Sequence, residues 1–380
     1  MSDAVFYILL SLTVAYVAIL CYYLIALLKV KKHNVPQQNA NPVFISVIVP
    51  ARNEAENISN LLESLRKQNY DSSYFEVIVV NDHSTDQTAD VVSAYQNKQI
   101  KLIHLADYIK NPAVVAFKKK AIEAGISISR GELIVTTDAD CVVPENWLRT
   151  IAGYYSTYKS AFIVMPVYIH PAQTFLQRFQ SLDFTMLQAI TAGTVSSHLH
   201  SMCNGANLAY TREAFYEVGG FEGIDGVASG DDMLLMEKMK ERYPNKIGYL
   251  FSKEVIVKTK PVNGLREFLQ QRIRWAGKSG QYKEKRILPI MFVVYFFNLS
   301  LLAATVLCMN NQLSISLLCI VLLIKMFAEL LLIFPIARFF NAQHQLWIFP
   351  FFQPIHIVYT IVAGGFGILK NHEWKGRQSR

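Results

Sequence analysis

Residues 133–140, with the sequence LIVTTDAD, are the most informative stretch of this chain for both its fold and its chemistry. The apolar and β-branched residues at the start of the stretch predict a buried strand. Asp138 and Asp140 stand one residue apart at the C-terminal tip of that strand. Such a pair suits Mg²⁺ or Mn²⁺, which bind oxygen ligands and share them with substrate phosphates. Because Asp-x-Asp is also common in turns, the metal-site hypothesis depends on the surrounding sequence.

A regular alternation of strand and helix patterns surrounds this stretch. Strands are predicted over residues 44–50, 75–80 and 101–105, and helices over residues 57–68, 86–95 and 118–128. Alternation at this spacing predicts an α/β fold with a mainly parallel sheet and helices on both faces. In such sheets ligands bind at the carboxyl ends of the strands. Glu54, Asp82 and Asp138 each follow a strand end, so we expect them to converge on one edge.

The composition indicates a soluble domain between membrane segments. The chain has 380 residues, of which 52% are hydrophobic and 17% charged, with a net charge of +8. It is too apolar for an ordinary soluble protein and too charged for a bundle of membrane helices. Residues 4–28 and 287–324 carry no charge, and residues 339–369 carry only histidines. A bilayer-spanning helix needs about 20 apolar residues.

We therefore expect four parts: a transmembrane helix (1–30), a cytoplasmic domain with interfacial helices (43–286), a transmembrane region (287–369) and a basic tail (370–380). Lys29, Lys31 and Lys32 follow the first span, which places that side in the cytoplasm by the positive-inside rule. A cleavable signal peptide is the alternative for the first span. It is disfavoured by the absence of a basic start and of a small-residue cleavage site.

The C-terminal region leaves its topology open between two and three spans. A hairpin is predicted near residues 288–309 and 313–336, and the last apolar run either spans or is re-entrant. Lys325 and Glu329 lie four residues apart inside the second of these spans. They could pair with each other or face a polar site in the bundle. The basic charge beside the spans suits anionic lipid headgroups, so we expect a bilayer and no nucleic acid as partner.

Six motifs together resemble family 2 glycosyltransferases. They are VPARNE (49–54), VNDHSTD (80–86), TDAD (137–140), CNGAN (203–207), GDD (230–232) and QRIRW (271–275). Membrane members of that family with a Gln-x-x-Arg-Trp motif include cellulose, chitin, hyaluronan and poly-N-acetylglucosamine synthases and ceramide glucosyltransferases. The resemblance implies a GT-A fold, an inverting transfer, and a nucleotide-diphosphate sugar, with a UDP-sugar favoured, used with Mg²⁺ or Mn²⁺.

The resemblance also implies a donor site. Glu54 and Asp82 would contact the donor nucleoside, Asp138 would lie near the ribose or diphosphate, and Asp140 would hold the metal with Asp138 beside it. Lys118 matches a family lysine near the diphosphate. The residue before that lysine is usually glycine in the family and is Phe117 here, which weakens the match.

An acceptor site is implied in the same way. Asp232 would be the general base that takes a proton from the acceptor hydroxyl. Arg274 would neutralise the departing diphosphate, since a planar guanidinium fits phosphate oxygens. Trp275 would stack on the acceptor, and Gln271 begins the same motif. Asp231 stands where the family often has glutamate.

Structural alternatives exist for several of these residues. Asp82 and Asp232 could each cap the helix that follows. The lysine run 118–120 could be a solvated face. Trp275 could anchor an amphipathic helix at the membrane interface, because basic residues surround it.

Three functions are weighed on this basis. One is transfer of a single sugar to a lipid, one is processive synthesis of a polysaccharide, and one is a non-catalytic membrane scaffold. The complete acidic set argues against the scaffold. The small membrane region leaves little material for a polymer channel and favours a lipid over a growing glycan as acceptor. The sequence leaves room for an accessory subunit.

Overall fold

The computed structural model describes residues 2–34, 42–109, 116–227, 230–277, 281–369, 372–374 and 377–379. It divides into two compact units. The helical unit comprises Met1–Val30, Pro171–His200 and Pro261–His372, and the sheet unit comprises Lys31–His170, Ser201–Lys260 and Glu373–Arg380. Of the predicted basic tail, residues 370, 371, 375, 376 and 380 lie outside the described residues.

The sheet unit is built on a seven-stranded sheet with the order β3-β2-β1-β4-β7-β5-β8. The strands are β1 (Ile45–Ala51), β2 (Phe75–Asn81), β3 (Ile100–His104), β4 (Leu133–Thr136), β5 (Phe162–Val164), β6 (Val167–Ile169), β7 (Leu208–Thr211), β8 (Ile247–Tyr249) and β9 (Val257–Thr259). Strands β1 to β4 are parallel, β7 runs antiparallel to β4 and β5, and β8 is parallel to β5. Strands β6 and β9 pair separately in parallel. The sheet is therefore mainly parallel, as predicted.

Among the described residues, the sheet unit has six α-helices, and each of them buries apolar side chains. They are α2 (Ile58–Arg66), α3 (Thr88–Ser93), α4 (Phe117–Ser127), α5 (Trp147–Tyr158), α7 (Arg212–Glu217) and α8 (Met233–Arg242). On α2 the buried residues are Ile58, Leu61, Leu62 and Leu65, whose spacing in the sequence is that of one apolar helix face. Helix α4 approaches β1 so closely that a Cβ at Gly125 would lie 2.7 Å from Ile48 Cγ2. Burying these stripes stabilises the unit by roughly 2 kcal/mol for each large apolar side chain.

The helical unit contains six α-helices among its described residues. They are α1 (Ser2–Leu28), α6 (Phe175–Ser196), α9 (Leu265–Gly277), α10 (Ile287–Met309), α11 (Ile315–Phe339) and α12 (Phe349–Leu369). Thr174 caps α6 in a reciprocal capping box with Gln177. In four stretches the described chain is long and apolar enough to cross a membrane: Val5–Leu28, Ile287–Met309, Ile315–Phe339 and Gln343–Gly367. These stretches identify a membrane-associated protein.

Two short strands, β10 (His372–Trp374) and β11 (Arg377–Ser379), pair with each other near the C-terminus.

Candidate active site

The loops that follow β1 and β2 are joined by hydrogen bonds into one wall. The backbone N–H of Asn53 donates to Ser84 Oγ at 3.0 Å, and Thr85 N–H donates to Asn53 Oδ1 at 2.8 Å. Asn53 and His83 both adopt a left-handed backbone with φ of 52°. That conformation is uncommon outside glycine and concentrates at functional sites. Glu54 and Asp82 stand directly beside these two strained residues.

Asp86 performs the local capping that the sequence left open for Asp82. Asp86 Oδ1 accepts the Thr88 N–H at 3.0 Å, and its Oδ2 accepts the Ala55 N–H at 3.1 Å. The Asp82 side chain is buried, with Oδ1 3.0 Å from His83 Nδ1. Glu54 Oε2 accepts a hydrogen bond from Asn57 Nδ2 at 2.7 Å.

The Asp138–Asp140 pair follows β4 and concentrates negative charge. Asp140 Oδ2 accepts a hydrogen bond from Thr259 Oγ1 at 3.2 Å. Burial, together with the nearby carboxylates of Asp138 and Glu54, raises the pKa of Asp140 to about 6. Carboxylates placed this close to one another make a position that favours a bound cation.

Lys118 is drawn into this acidic cluster. Its Nζ lies 2.7 Å from Asp138 Oδ1 and 3.1 Å from Asp231 Oδ2. Burial alone would lower the pKa of Lys118, but the attraction of Asp138 and Asp231 outweighs it and raises the pKa. Its neighbour Lys119 is fully buried and donates to the carbonyls of Ile224 and Val227 at 2.6 and 2.8 Å. The alternative of a solvated lysine face is therefore wrong for these two residues.

Asp232 lies at the N-terminus of α8, where both of its carboxylate oxygens accept backbone N–H groups. Oδ1 accepts from Met233 at 2.8 Å and Oδ2 accepts from Gly205 at 3.2 Å. A Cβ on Gly205 would lie 3.0 Å from Asp231 Oδ2 and 3.4 Å from Lys118 Nζ. A side chain here would crowd the cluster, which gives the CNGAN glycine a physical reason. Asp232 thus caps α8 and also borders the acidic cluster.

Asn207, in the same CNGAN motif, is structural. It is fully buried, donates to the carbonyls of Pro166 and Val255 at 2.8 and 2.7 Å, and accepts from Trp147 Nε1 at 3.0 Å.

The carboxylate oxygens of Asp138 and Asp140 fit a divalent cation whose remaining ligands come from the substrate. Within the described ranges, no three His, Cys, Asp or Glu side chains are arranged to hold a metal by themselves. Mg²⁺ usually binds through one or two carboxylates and takes its remaining ligands from substrate phosphates and water. Hard carboxylate oxygens and the raised pKa of Asp140 agree with that mode of binding.

The QRIRW residues belong to α9 of the helical unit. Trp275 packs against Phe184 with ring centroids 6.1 Å apart, and the Arg272 guanidinium lies 4.3 Å from the Trp275 ring centroid. Gln271 and Arg274 are half-buried on the same helix.

Comparison with known families accounts for this arrangement. The model of glycosyl transferase family 2 matches residues 46–219, and that of glycosyl transferase family group 2 matches residues 133–357, more than half of the chain. The chain belongs to this family. The predicted class of enzyme, a family 2 glycosyltransferase with the GT-A fold, is thereby confirmed.

This glycosyltransferase resembles several curated relatives over part of their length. A probable glycosyltransferase of Bacillus subtilis, YdaM, is 27% identical over 66% of this chain and 61% of its own. The dolichyl-phosphate beta-glucosyltransferase ALG5C of Trichomonas vaginalis is 33% identical over 45% of this chain and 53% of its own. The chain thus spans less than two thirds of these relatives.

One solved structure resembles the chain over nearly all of its length. It is the mannosyltransferase PcManGT of Pyrobaculum calidifontis, in complex with GDP-Man and Mn²⁺. The TM-score is 0.56 with 18% identity, over 95% of this chain and 99% of that protein. This likeness supports the fold.

Sequence reasoning missed three residues of this glycosyltransferase that contact predicted site residues. Asp231 pairs with Lys118, Thr259 donates to Asp140, and Arg272 stacks on Trp275. Asp231 and Arg272 stand inside quoted motifs, so their position was a usable signal. Thr259 lies far along the chain from Asp140 and carries no such signal.

Proposed function

We propose that this glycosyltransferase moves a sugar from a nucleotide-diphosphate sugar to a lipid in the membrane, with inversion at the anomeric carbon. The carrying observation is the cluster in which Lys118 bridges Asp138 and Asp231, with Asp140 and Asp232 beside them. A nucleotide-binding edge needs fixed donors and acceptors and a position for a cation, and the lysine and carboxylates of this cluster support the proposal that this edge is one.

In this proposal, Glu54 and Asp82 hold the nucleoside, and Asp138 lies near the ribose or diphosphate. Asp138 and Asp140 hold Mg²⁺ or Mn²⁺, which when bound neutralises charge on the diphosphate. Lys118 supplies a second positive charge from the protein on that side.

The reaction then needs a base and a stabilised leaving group. Asp232 takes the proton of the acceptor hydroxyl while the hydroxyl oxygen attacks the anomeric carbon from the face opposite the diphosphate. The carbon–oxygen bond to the diphosphate breaks, and Arg274, with Gln271 beside it on α9, stabilises the departing charge. Trp275 offers an apolar ring face on which the acceptor stacks.

A lipid acceptor is favoured by the same chain carrying four helices long and apolar enough to cross a membrane. The Trichomonas relative is named for transfer to dolichyl phosphate, which is a lipid. Lys29, Lys31 and Lys32 after α1 favour a cytoplasmic position for residues 43–286. Nucleotide sugars are available on that side.

The test is product analysis with purified protein in lipid vesicles, Mn²⁺ and a panel of radiolabelled UDP- and GDP-sugars. Label in a small product that extracts into organic solvent, obtained with a UDP-sugar, is the expected result. Label in a high-molecular-weight, glycosidase-sensitive product would replace this proposal with a polysaccharide synthase. Asp232→Asn serves as the inactive control, and Asp225→Asn, an exposed acid of the same unit, as the matched active one.

A further inference from the structure

Arg272 occupies an unusual position on α9. It is only 4% exposed, and its guanidinium lies between two aromatic rings of the same helix. The Phe268 centroid is 4.9 Å and the Trp275 centroid 4.3 Å from Cζ. A guanidinium on a ring face is attracted by the ring quadrupole, and the attraction grows when the pair is desolvated.

Asp183 on α6 fixes the other side of Arg272. Arg272 Nη2 lies 2.8 Å from Asp183 Oδ2, although its N–H groups do not point at the oxygen, so charge holds the contact. Tyr359 on α12 donates a hydrogen bond to Asp183 Oδ1 at 2.5 Å. The Tyr359 ring in turn packs edge-on against Phe268 with centroids 5.4 Å apart. Three helices therefore meet at one buried carboxylate.

Stability is a weak explanation for this arrangement. A buried ion pair often contributes nothing net, because desolvation of both charges offsets their attraction. Arg272 Nε and Nη1 also have no acceptor among the residues that the structure describes. A fully hydrogen-bonded network would be expected if stability alone were served. The contact that the Arg272 guanidinium does make is with the ring of Trp275, over which it lies.

We propose that Arg272 is a positioning residue that orients Trp275 for the acceptor, and that Asp183 and Tyr359 fix Arg272 for this task. The inference rests on the proposed role of Trp275. Arg272 itself need not touch either substrate. Loss of its planar face would leave the indole free to rotate, so acceptor binding would weaken while donor binding stays unchanged.

Lysine cannot replace arginine here, because an ammonium group has no planar face to stack on the indole ring. Arg272→Lys keeps the charge and the ion pair with Asp183 but removes the stacking. We expect it to raise the acceptor KM about tenfold, with the donor KM unchanged. Arg266→Gln, an exposed arginine on the same helix, is the matched control and should change neither.

The decisive measurement is a double-mutant cycle on the acceptor KM with Arg272→Lys and Trp275→Phe in the full-length protein. If Arg272 acts through Trp275, the double variant is no worse than Trp275→Phe alone. Additive losses, or a fall in kcat at unchanged acceptor KM, would overturn the proposal. Asp183→Asn should reproduce the acceptor defect of Arg272→Lys.

A spectroscopic arm separates this inference from the proposed function. The near-UV circular dichroism signal of Trp275 is obtained by subtracting the spectrum of Trp275→Phe from that of the wild type. The same subtraction in the Arg272→Lys background should give a weaker signal if the indole is no longer held. An unchanged difference spectrum would refute the positioning role. If the spectrum changes while Trp275→Phe leaves the acceptor KM intact, the positioning stands and the acceptor role of Trp275 falls.

Discussion

Two charged regions of this glycosyltransferase differ in how far the protein's own side chains balance their charge. At the edge of the sheet, Lys118 bridges two carboxylates, yet burial and the acidic neighbours of Asp140 still raise the pKa of that residue. In the helical unit, Lys325 contacts Glu329 Oε1 at 2.6 Å and Gln353 Oε1 at 2.5 Å. Glu329 also accepts from Gln353 Nε2 at 2.6 Å and from the Tyr16 hydroxyl at 2.5 Å.

This difference indicates a binding site at the edge of the sheet and a structural ion pair in the helical unit. The group of Lys325, Glu329, Gln353 and Tyr16, called the membrane cluster below, pairs one cation with one anion. It gives each carboxylate oxygen a donor, as charges inside a bilayer require. It thereby joins α1, α11 and α12. The sheet edge carries more negative than positive charge and is only partly buried, so it is suited to a cation and a diphosphate from outside. We therefore expect substitutions at the edge to change catalysis and substitutions in the cluster to change stability.

The largest effect is expected at Asp232. Asp232→Asn keeps the shape of the side chain but removes the base, so transfer should fall about 1,000-fold or more while donor binding is retained. Steady-state turnover and donor binding by calorimetry measure the two quantities separately. Turnover close to that of Asp225→Asn would show that Asp232 only caps α8.

Next comes the membrane cluster. Lys325→Met leaves Glu329 charged and buried, and we expect it to lower the free energy of unfolding by about 3–5 kcal/mol. Lys325→Met combined with Glu329→Gln should recover part of that loss, because no unpaired charge remains. Thermal unfolding in lipid nanodiscs measures both variants. Additive losses of unfolding free energy would mean that Lys325 and Glu329 are not coupled. The distinction between a binding site and a structural ion pair would then fail.

Asp140 tests the proposed metal site at the sheet edge. Asp140→Asn should weaken donor binding about 100-fold in the presence of Mn²⁺, because a ligand is lost and the excess charge is reduced. Without metal, wild type and variant should bind the donor with similar low affinity. Donor titrations with Mn²⁺ and with EDTA make the comparison. Equal wild-type affinity in both conditions would contradict a metal site.

The smallest effect concerns Glu76, a fully buried acid in β2 that sharpens the contrast with Glu329. It accepts hydrogen bonds from Ser46 Oγ, Lys101 Nζ and the Arg130 N–H at 2.8, 2.8 and 2.7 Å. Burial raises the pKa of Glu76, but these donors outweigh burial and lower it overall. Glu76→Gln should cost about 1–3 kcal/mol of unfolding free energy near neutral pH.

The pH dependence at Glu76 follows from the sign of its shift. A pKa lower in the folded than in the unfolded protein contributes stability that is present above the unfolded pKa and is lost as pH falls through the folded pKa. The difference between wild type and Glu76→Gln should therefore shrink on acidification. Unfolding midpoints between neutral and acidic pH check this, and a constant difference would contradict it.

Local sequence patterns were enough to predict the first strands and helices of the sheet unit and the edge on which its acidic residues were expected. Period-two and period-3.6 patterns are local, so β1, β2, β4 and the buried stripe of α2 follow from composition and spacing. Parallel strands place their carboxyl ends together, which is why acids far apart in the chain were expected on one edge. The departure at Phe117 weakened the match at Lys118, and its role near a diphosphate stays a prediction, although its ammonium group does pair with Asp138 and Asp231.

The partner that each charged group takes could be identified only in the folded protein. Lys325 and Glu329 could have paired or faced a site, and Gln353 and Tyr16 settle the choice from other helices. Asp183 is the only carboxylate on α6, but nothing local shows that Arg272 and Tyr359 meet there. The antiparallel insertion of β7 between β4 and β5 is equally non-local. Such contacts join residues tens to hundreds of positions apart, and their energies depend on packing that local patterns do not encode.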